Sequence, residues 1–293
     1  MTVFLMVLSV SISVANSSFR KLFARDLLKT NSDNLAFTLG TQFLAMLIVL
    51  CTGNPFDAAP YTLLLAFLMG SVQVACSLSI SRALVSGPVS LSTLLLQGLT
   101  LLVSSLLGPL FFSELLSLPQ LLGIVLVLAA MFLIADVKKD KSISLRWLLL
   151  VIFSGVMGGM QGCFQKMLSR SAHAEQTAAF VFWTFAFSSM MTGLMLLINV
   201  KGERKDPVTF RLKGLALAAL LVCSLSSGLL NIINLRLVAS LPTAVFFPLN
   251  TCSIILLTAV AGLLFFREKM TRRQGCGFFL GIFAMMLTAG IFG

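Results

Sequence analysis

The charged residues of this chain fall into short clusters, separated by apolar runs of about 20 residues. A helix of about that length rises roughly 30 Å, the thickness of a bilayer's hydrocarbon core. A soluble fold of 293 residues would need a polar outer surface, yet 58% of the residues are hydrophobic, only 11% are charged and the mean hydropathy is +1.02. Backbone polar groups inside hydrocarbon must satisfy one another, which a helix does within a single segment. The expected fold class is therefore all-α integral membrane, with spans near 2–19, 34–52, 60–82, 88–112, 118–135, 145–165, 177–199, 212–236, 242–266 and 272–292. The longest polar connection, Asn199 to Gly214, is too short to fold alone, so no separate soluble domain is expected.

The net charge of +11 does not point to nucleic acid, because the basic residues are spread over short connections and form no basic domain. Counted by connection, Lys and Arg number 18 in the odd connections and 3 in the even ones. Positive residues mark the cytoplasmic side, so the odd connections are expected there and both termini on the non-cytoplasmic side of a cell membrane. The apolar amino end is expected to be a span and not a cleaved signal, because Arg20, Lys21, Arg25 and Lys29 follow the apolar run instead of preceding it. The six cysteines show no metal-ligand or disulfide spacing and read as small apolar packers.

Shifting the chain against itself by 154 residues aligns 82–135 with 236–289 without a gap, and 17 of the 54 columns are identical. Leucine-rich composition alone would give about five. The matches include Arg82/Arg236, Pro88/Pro242, Gly108/Gly262, Glu114/Glu268, Gln120/Gln274 and Gly123/Gly277. At the amino end "FRKLFAR" from Phe19 pairs with "FQKMLSR" from Phe164, at an offset of 145. Each repeat thus holds five expected spans, in residues 1–137 and 138–293. Five is odd, so the second copy is expected to enter the bilayer from the opposite face, a design that places a substrate site near the midplane between the halves.

A Pro-led helix ending in a hydrophobic residue and Glu, followed by Gln and Gly opening the next helix, resembles the EamA-type repeat of the drug/metabolite transporter superfamily. The resemblance covers essentially the whole chain. It implies ten helices in two inverted five-helix repeats, with helices 1, 3, 4, 6, 8 and 9 lining a central cavity. Many members carry a mid-helix proline in the fourth and ninth helices, where this chain has "STLLLQGLT" and "FPLNTCSII". Members usually have cytoplasmic termini, whereas the 18 to 3 charge bias places them outside here.

Chemistry is sparse. All ten acids fall in connections or near span ends, so a buried carboxylate of the kind used for proton-coupled cation efflux is not expected. His173 reads as a loop residue, and no deep base stands near any serine to activate it, so no catalytic residue, cofactor or metal is expected and the chain is read as a non-enzyme. What lies deep is uncharged and polar: Asn16, Gln73, Ser77, Gln97, Gln161, Ser227, Asn231, Asn234, Asn250 and Thr251. Gln73 and Ser77 share a helix face by their spacing, as do their repeat partners Ser227 and Asn231. Single polar residues in membrane helices often serve as interhelical glue, but paired occurrence across two halves suits a substrate site. Donors and acceptors without fixed charge suit a neutral or zwitterionic metabolite.

Arg82 and Arg236 are expected to end the third and eighth spans, either bonding final carbonyls or acting in gating. Glu114 and Glu268 sit at corners ahead of two capping boxes, Ser117 to Gln120 and Thr271 to Gln274, and read as structural. Gly70, Gly158, Gly159 and Gly228 read as ordinary small-residue packing ahead of points of close helix approach, and Phe180, Trp183 and Phe187 as a lipid-facing or core stripe ahead of a stacking wall for substrate. The expected function is transport of a small polar metabolite by alternating access, in a lipid bilayer, as monomer or homodimer. The alternatives are efflux of amphipathic drugs and a non-transporting scaffold or sensor.

Overall fold

In the computed structural model, residues 2–27, 30–86, 89–113, 116–134, 144–201, 208, 214–265 and 271–288 are described. Among them the chain forms ten helices and no strand: α1 (Thr2–Leu27), α2 (Asn31–Leu50), α3 (Pro60–Ser86), α4 (Val89–Phe112), α5 (Leu118–Ile134), α6 (Leu145–Ser169), α7 (Thr177–Lys201), α8 (Leu215–Ser240), α9 (Thr243–Phe265) and α10 (Arg272–Thr288). Six of them, α2, α3, α4, α6, α7 and α8, contain a described stretch long and apolar enough to cross a membrane. Shorter apolar helical stretches occupy Thr2–Asn16, Leu118–Ile134 and Thr243–Leu257.

Several helices outlast the apolar run that announces them. Helix α1 continues to Leu27 instead of stopping near residue 19, α3 to Ser86, α6 to Ser169 and α8 to Ser240. In α3 and α8 the added turn carries an exposed arginine, whose long stem can cover apolar surface while its head reaches water. Arg82 and Arg236 consequently lie about a turn inside α3 and α8, both exposed, rather than at the helix ends.

The starts of three helices are fixed by side chains that satisfy orphan amides. Thr30 and Asp33 form a capping box on α2, with Asp33 N donating to Thr30 Oγ1 at 3.0 Å and Thr30 N donating to Asp33 Oδ2 at 3.1 Å. Ser117 N donates to Gln120 Oε1 at 3.0 Å and Gln120 N to Ser117 Oγ at 3.4 Å before α5. The same exchange joins Thr271 and Gln274 before α10, at 2.9 and 3.3 Å. Glu114 and Glu268 lie outside the described residues.

The helices form two compact units, each drawing on both halves of the sequence. The first holds α1, α2, α3 as far as Val74, and residues 167–236 with α7 and most of α8. Here α2 packs on α7, where Thr192 Oγ1 donates to Gln42 Oε1 at 3.0 Å. Helix α3 reaches α7 at Gly70, where a Cβ would stand 3.0 Å from Thr184 O. Gly228 does not serve such an approach: a Cβ there would stand 3.7 Å from Ala45 O, an ordinary contact. The stripe Phe180, Trp183, Phe187 is turned to structural use. Phe180 is buried, Phe187 meets Phe67 edge-on at 5.4 Å, and Trp183 Nε1 donates to Pro55 O at 2.9 Å, tying down the α2–α3 connection. Gln176 Oε1 completes that clasp by accepting from Ala59 N at 3.0 Å and Thr62 Oγ1 at 2.6 Å.

The second unit holds the rest of α3, α4, α5, α6 as far as Lys166, α9 and α10. Helix α6 carries overlapping GxxxG spacings, Gly155/Gly159 and Gly158/Gly162, and lets α4 come close. Added Cβ atoms would stand 2.6 Å from Thr100 Oγ1 at Gly158 and 2.5 Å from Val103 Cβ at Gly159. Ser104 Oγ donates to Gly159 O at 3.2 Å across the same seam. Helices α5 and α10 pack antiparallel: Gly123, at the start of α5, faces Ala284 and Thr288 near the end of α10, while Gly277 faces Ala130, Leu133 and Ile134 near the end of α5. The contacts are reciprocal under the 154-residue offset, since Gly123, Ala130 and Ile134 correspond to Gly277, Ala284 and Thr288.

Candidate functional site

The ten polar residues divide between the units. Asn16 on α1, Gln73 on α3 and Ser227, Asn231 and Asn234 on α8 belong to the first; Ser77 on α3, Gln97 on α4, Gln161 on α6 and Asn250 and Thr251 on α9 belong to the second. Each sits in a predominantly apolar stretch of helix, where a polar group must either bond a neighbour or face water or a ligand.

By that criterion the set splits into different kinds. Asn234 is engaged: Ser9 Oγ of α1, fully buried, donates to Asn234 Oδ1 at 2.6 Å and joins α1 to α8. Asn231 Nδ2 donates to Ser227 O at 3.0 Å, which turns its carboxamide along its own helix. In contrast, Asn16 Oδ1, Gln73 Oε1 and Asn250 Oδ1 are buried and have no hydrogen-bond partner among the described residues. Native proteins rarely leave a buried acceptor unsatisfied, so such atoms mark places where a water or ligand donor belongs. Ser77 and Gln97 are exposed, and Gln161 and Thr251 are half-buried. An exposed carboxamide within an apolar helix such as α4 is costly against lipid and unremarkable against water.

Acidity contributes nothing at depth among the described side chains. Asp33 is fully buried but spent on the α2 cap. His173 lies in the α6–α7 connection with its ring 6.4 Å from that of Tyr61, a loop packing contact. The six cysteines form no disulfide with one another, and Cys163, Cys223 and Cys252 are buried.

One polar residue escapes the sequence reading. Lys166 closes the apolar run of the sixth span and so reads as part of a connection, yet α6 continues through it to Ser169 and the side chain is only 3% exposed. Its Nζ donates to Val238 O and to Leu241 O, each at 2.8 Å. The pairing of "FRKLFAR" with "FQKMLSR" marks the position, but only the fold shows that the lysine is buried.

Residues 145–290, the second sequence half, match the profile of the EamA-like transporter family. The chain belongs to the EamA-like transporter family. It is thereby a multi-pass membrane protein of a transporter family, part of the drug/metabolite transporter superfamily, and not of an enzyme family. No curated protein sequence matches it. A crystal structure described only as that of a protein superposes with a TM-score of 0.74 over 99% of this chain and 98% of that one, at 11% identity. At that identity the likeness speaks for the fold alone.

Proposed function

We infer that this EamA-family chain moves a small polar metabolite, neutral or zwitterionic, by alternating access between two inverted five-helix repeats, 1–137 and 138–293. The observation that carries the reading is the set of buried, unpartnered carboxamide oxygens of Asn16, Gln73 and Asn250. Each is an acceptor on a helix of the polar set and asks for an N–H or O–H donor, which a polar solute would bring. The deep acceptors carry no charge, which suits a solute without net charge. The reciprocal antiparallel contacts of α5 with α10 support the inverted relation of the halves.

Purified protein in liposomes preloaded in turn with neutral amino acids, nucleosides and sugars should show saturable counterflow of a labelled solute from one of these classes. Exchange confined to amphipathic cations would point to drug efflux instead. Silence with every solute would point to a scaffold and end the transport reading.

Orientation follows from the charge bias. In a background with the exposed Cys51 and Cys276 replaced by serine, Glu175→Cys in the α6–α7 connection should react with an impermeant maleimide on intact cells. Ser142→Cys, in the sequence between α5 and α6, should react only after permeabilisation. The opposite pattern would place both termini in the cytoplasm.

A further inference from the structure

Lys166 is the deep polar group that the proposed function leaves unused. A cationic side chain only 3% exposed in an apolar helix carries a desolvation cost that its partners must offset. Two of those partners are main-chain carbonyls, Val238 O and Leu241 O, at 2.8 Å each. The backbone explains why they are available. In a continuous helix Val238 O would accept from residue 242, but that residue is Pro242, which has no N–H. Leu241 O would accept from Val245 N, which instead donates to Pro242 O at 3.1 Å as α9 begins. Pro242 thus separates α8 from α9 and leaves two acceptors at the corner, and Lys166 reaches across from α6 to supply both bonds.

The position of this bond matters for motion. From Val3 onward the chain passes from one compact unit to the other in α3 between Val74 and Ala75, in α6 between Lys166 and Met167, and in α8 between Arg236 and Leu237. Lys166 stands at one crossing and holds the residues that follow another.

We propose that Lys166 is a latch, whose hydrogen bonds to Val238 O and Leu241 O hold the α8–α9 corner against α6 in one state of the transport cycle and release it in the other. This rests on the alternating-access reading above. Hydrogen bonds from a charged donor are strong enough to shift a two-state balance by about tenfold or more, yet weak enough to break in each cycle. The sequence writes the same pair in its first half, with Lys21 placed 145 residues before Lys166 and Pro88 placed 154 before Pro242. The side chain of Lys21 and the whole of Pro88 lie outside the described residues.

The test uses the full-length protein in membranes, with Cys51 and Cys276 replaced by serine and Ala239→Cys as an exposed reporter on the last turn of α8. Lys166→Met, which keeps the stem and removes the donor, should raise the maleimide labelling rate of that reporter about tenfold. A purely structural cap is separated by adding Pro242→Ala, which restores an N–H for Val238 O without any tie to α6. For a latch, the double variant recovers melting temperature while labelling stays raised. Folded Lys166→Met protein with unchanged labelling overturns the latch, as does a double variant in which labelling falls back together with the recovery of stability. Should Lys166→Met alone not fold, the double variant carries the same two outcomes. Absence of solute exchange by the wild-type protein bears on the transport reading and leaves the labelling comparison intact.

Discussion

Gln73→Leu should leave a folded protein that exchanges solute at least about tenfold more slowly than wild type. The two halves of that expectation come from one atom. Gln73 Oε1 is buried and has no partner among the described residues, so an apolar side chain of similar size removes an unsatisfied acceptor and breaks no bond seen in the fold. Thermal unfolding in detergent should therefore be unchanged or shifted upward. If the acceptor meets a donor on the solute, its removal costs the charge-free part of recognition, which appears as slower counterflow at subsaturating solute. A residue acting as interhelical glue gives the opposite pattern. Asn234→Leu would strand the fully buried Ser9 hydroxyl, at a cost of about 1 to 3 kcal/mol, and lower the melting temperature. A Gln73→Leu protein that melts early and exchanges normally once folded would move Gln73 from the site to the glue.

The same comparison shows what the sequence could and could not carry. Apolar run length and the Ser-x-x-Gln and Thr-x-x-Gln signatures are local properties, and they mark the helices and the starts of α5 and α10 because one helix suffices to express them. The choice between site and glue is not local. Asn16 and Asn234 are the same residue type, each half-buried, and what separates them is that Ser9 bonds Asn234 while Asn16 Oδ1 meets no partner among the described residues. Lys166 escaped for a related reason. A basic residue closing an apolar run looks like the start of a connection, and its burial depends on Pro242, which lies 76 residues further along the chain and orphans a carbonyl there. Helix ends and apolar-run ends differ in α3 and α8, where the helix continues about a turn past Arg82 and Arg236. Gly123 and Gly277 stood out as identical columns of the repeat, but nothing in a leucine-rich stretch states which helix each of them meets.

That pairing sets the largest effect expected on stability. Gly123→Val should prevent recovery of a monodisperse, thermally cooperative protein, and Gly277→Val should do the same. A Cβ at Gly123 would lie 2.5 Å from Thr288 Cγ2, 3.0 Å from Thr288 N and 3.1 Å from Ala284 O; one at Gly277 would lie 2.7 Å from Leu133 Cβ and 3.0 Å from Ala130 O. A flexible side chain can yield, but a main-chain oxygen or nitrogen moves only with its helix, so α5 and α10 would have to separate along their length. Overpacking of this kind costs about 1 to 3 kcal/mol where side chains alone must move, and more where backbone is in the way. Valine adds further bulk at the closest points, and in a membrane the lost contacts between close-packed helices are not replaced by a hydrophobic drive to reassociate. Gly228→Ala is the control, because its Cβ would meet Ala45 O at an ordinary 3.7 Å, and its stability should stay within about 1 kcal/mol of wild type. The two valine variants should also resemble each other, since each glycine meets the counterparts of the residues the other meets. If Gly123→Val melts like Gly228→Ala, α5 and α10 do not pack through these glycines. If only one valine variant fails, the pairing is not reciprocal, and the local two-fold relation that supports the inverted repeat is lost with it.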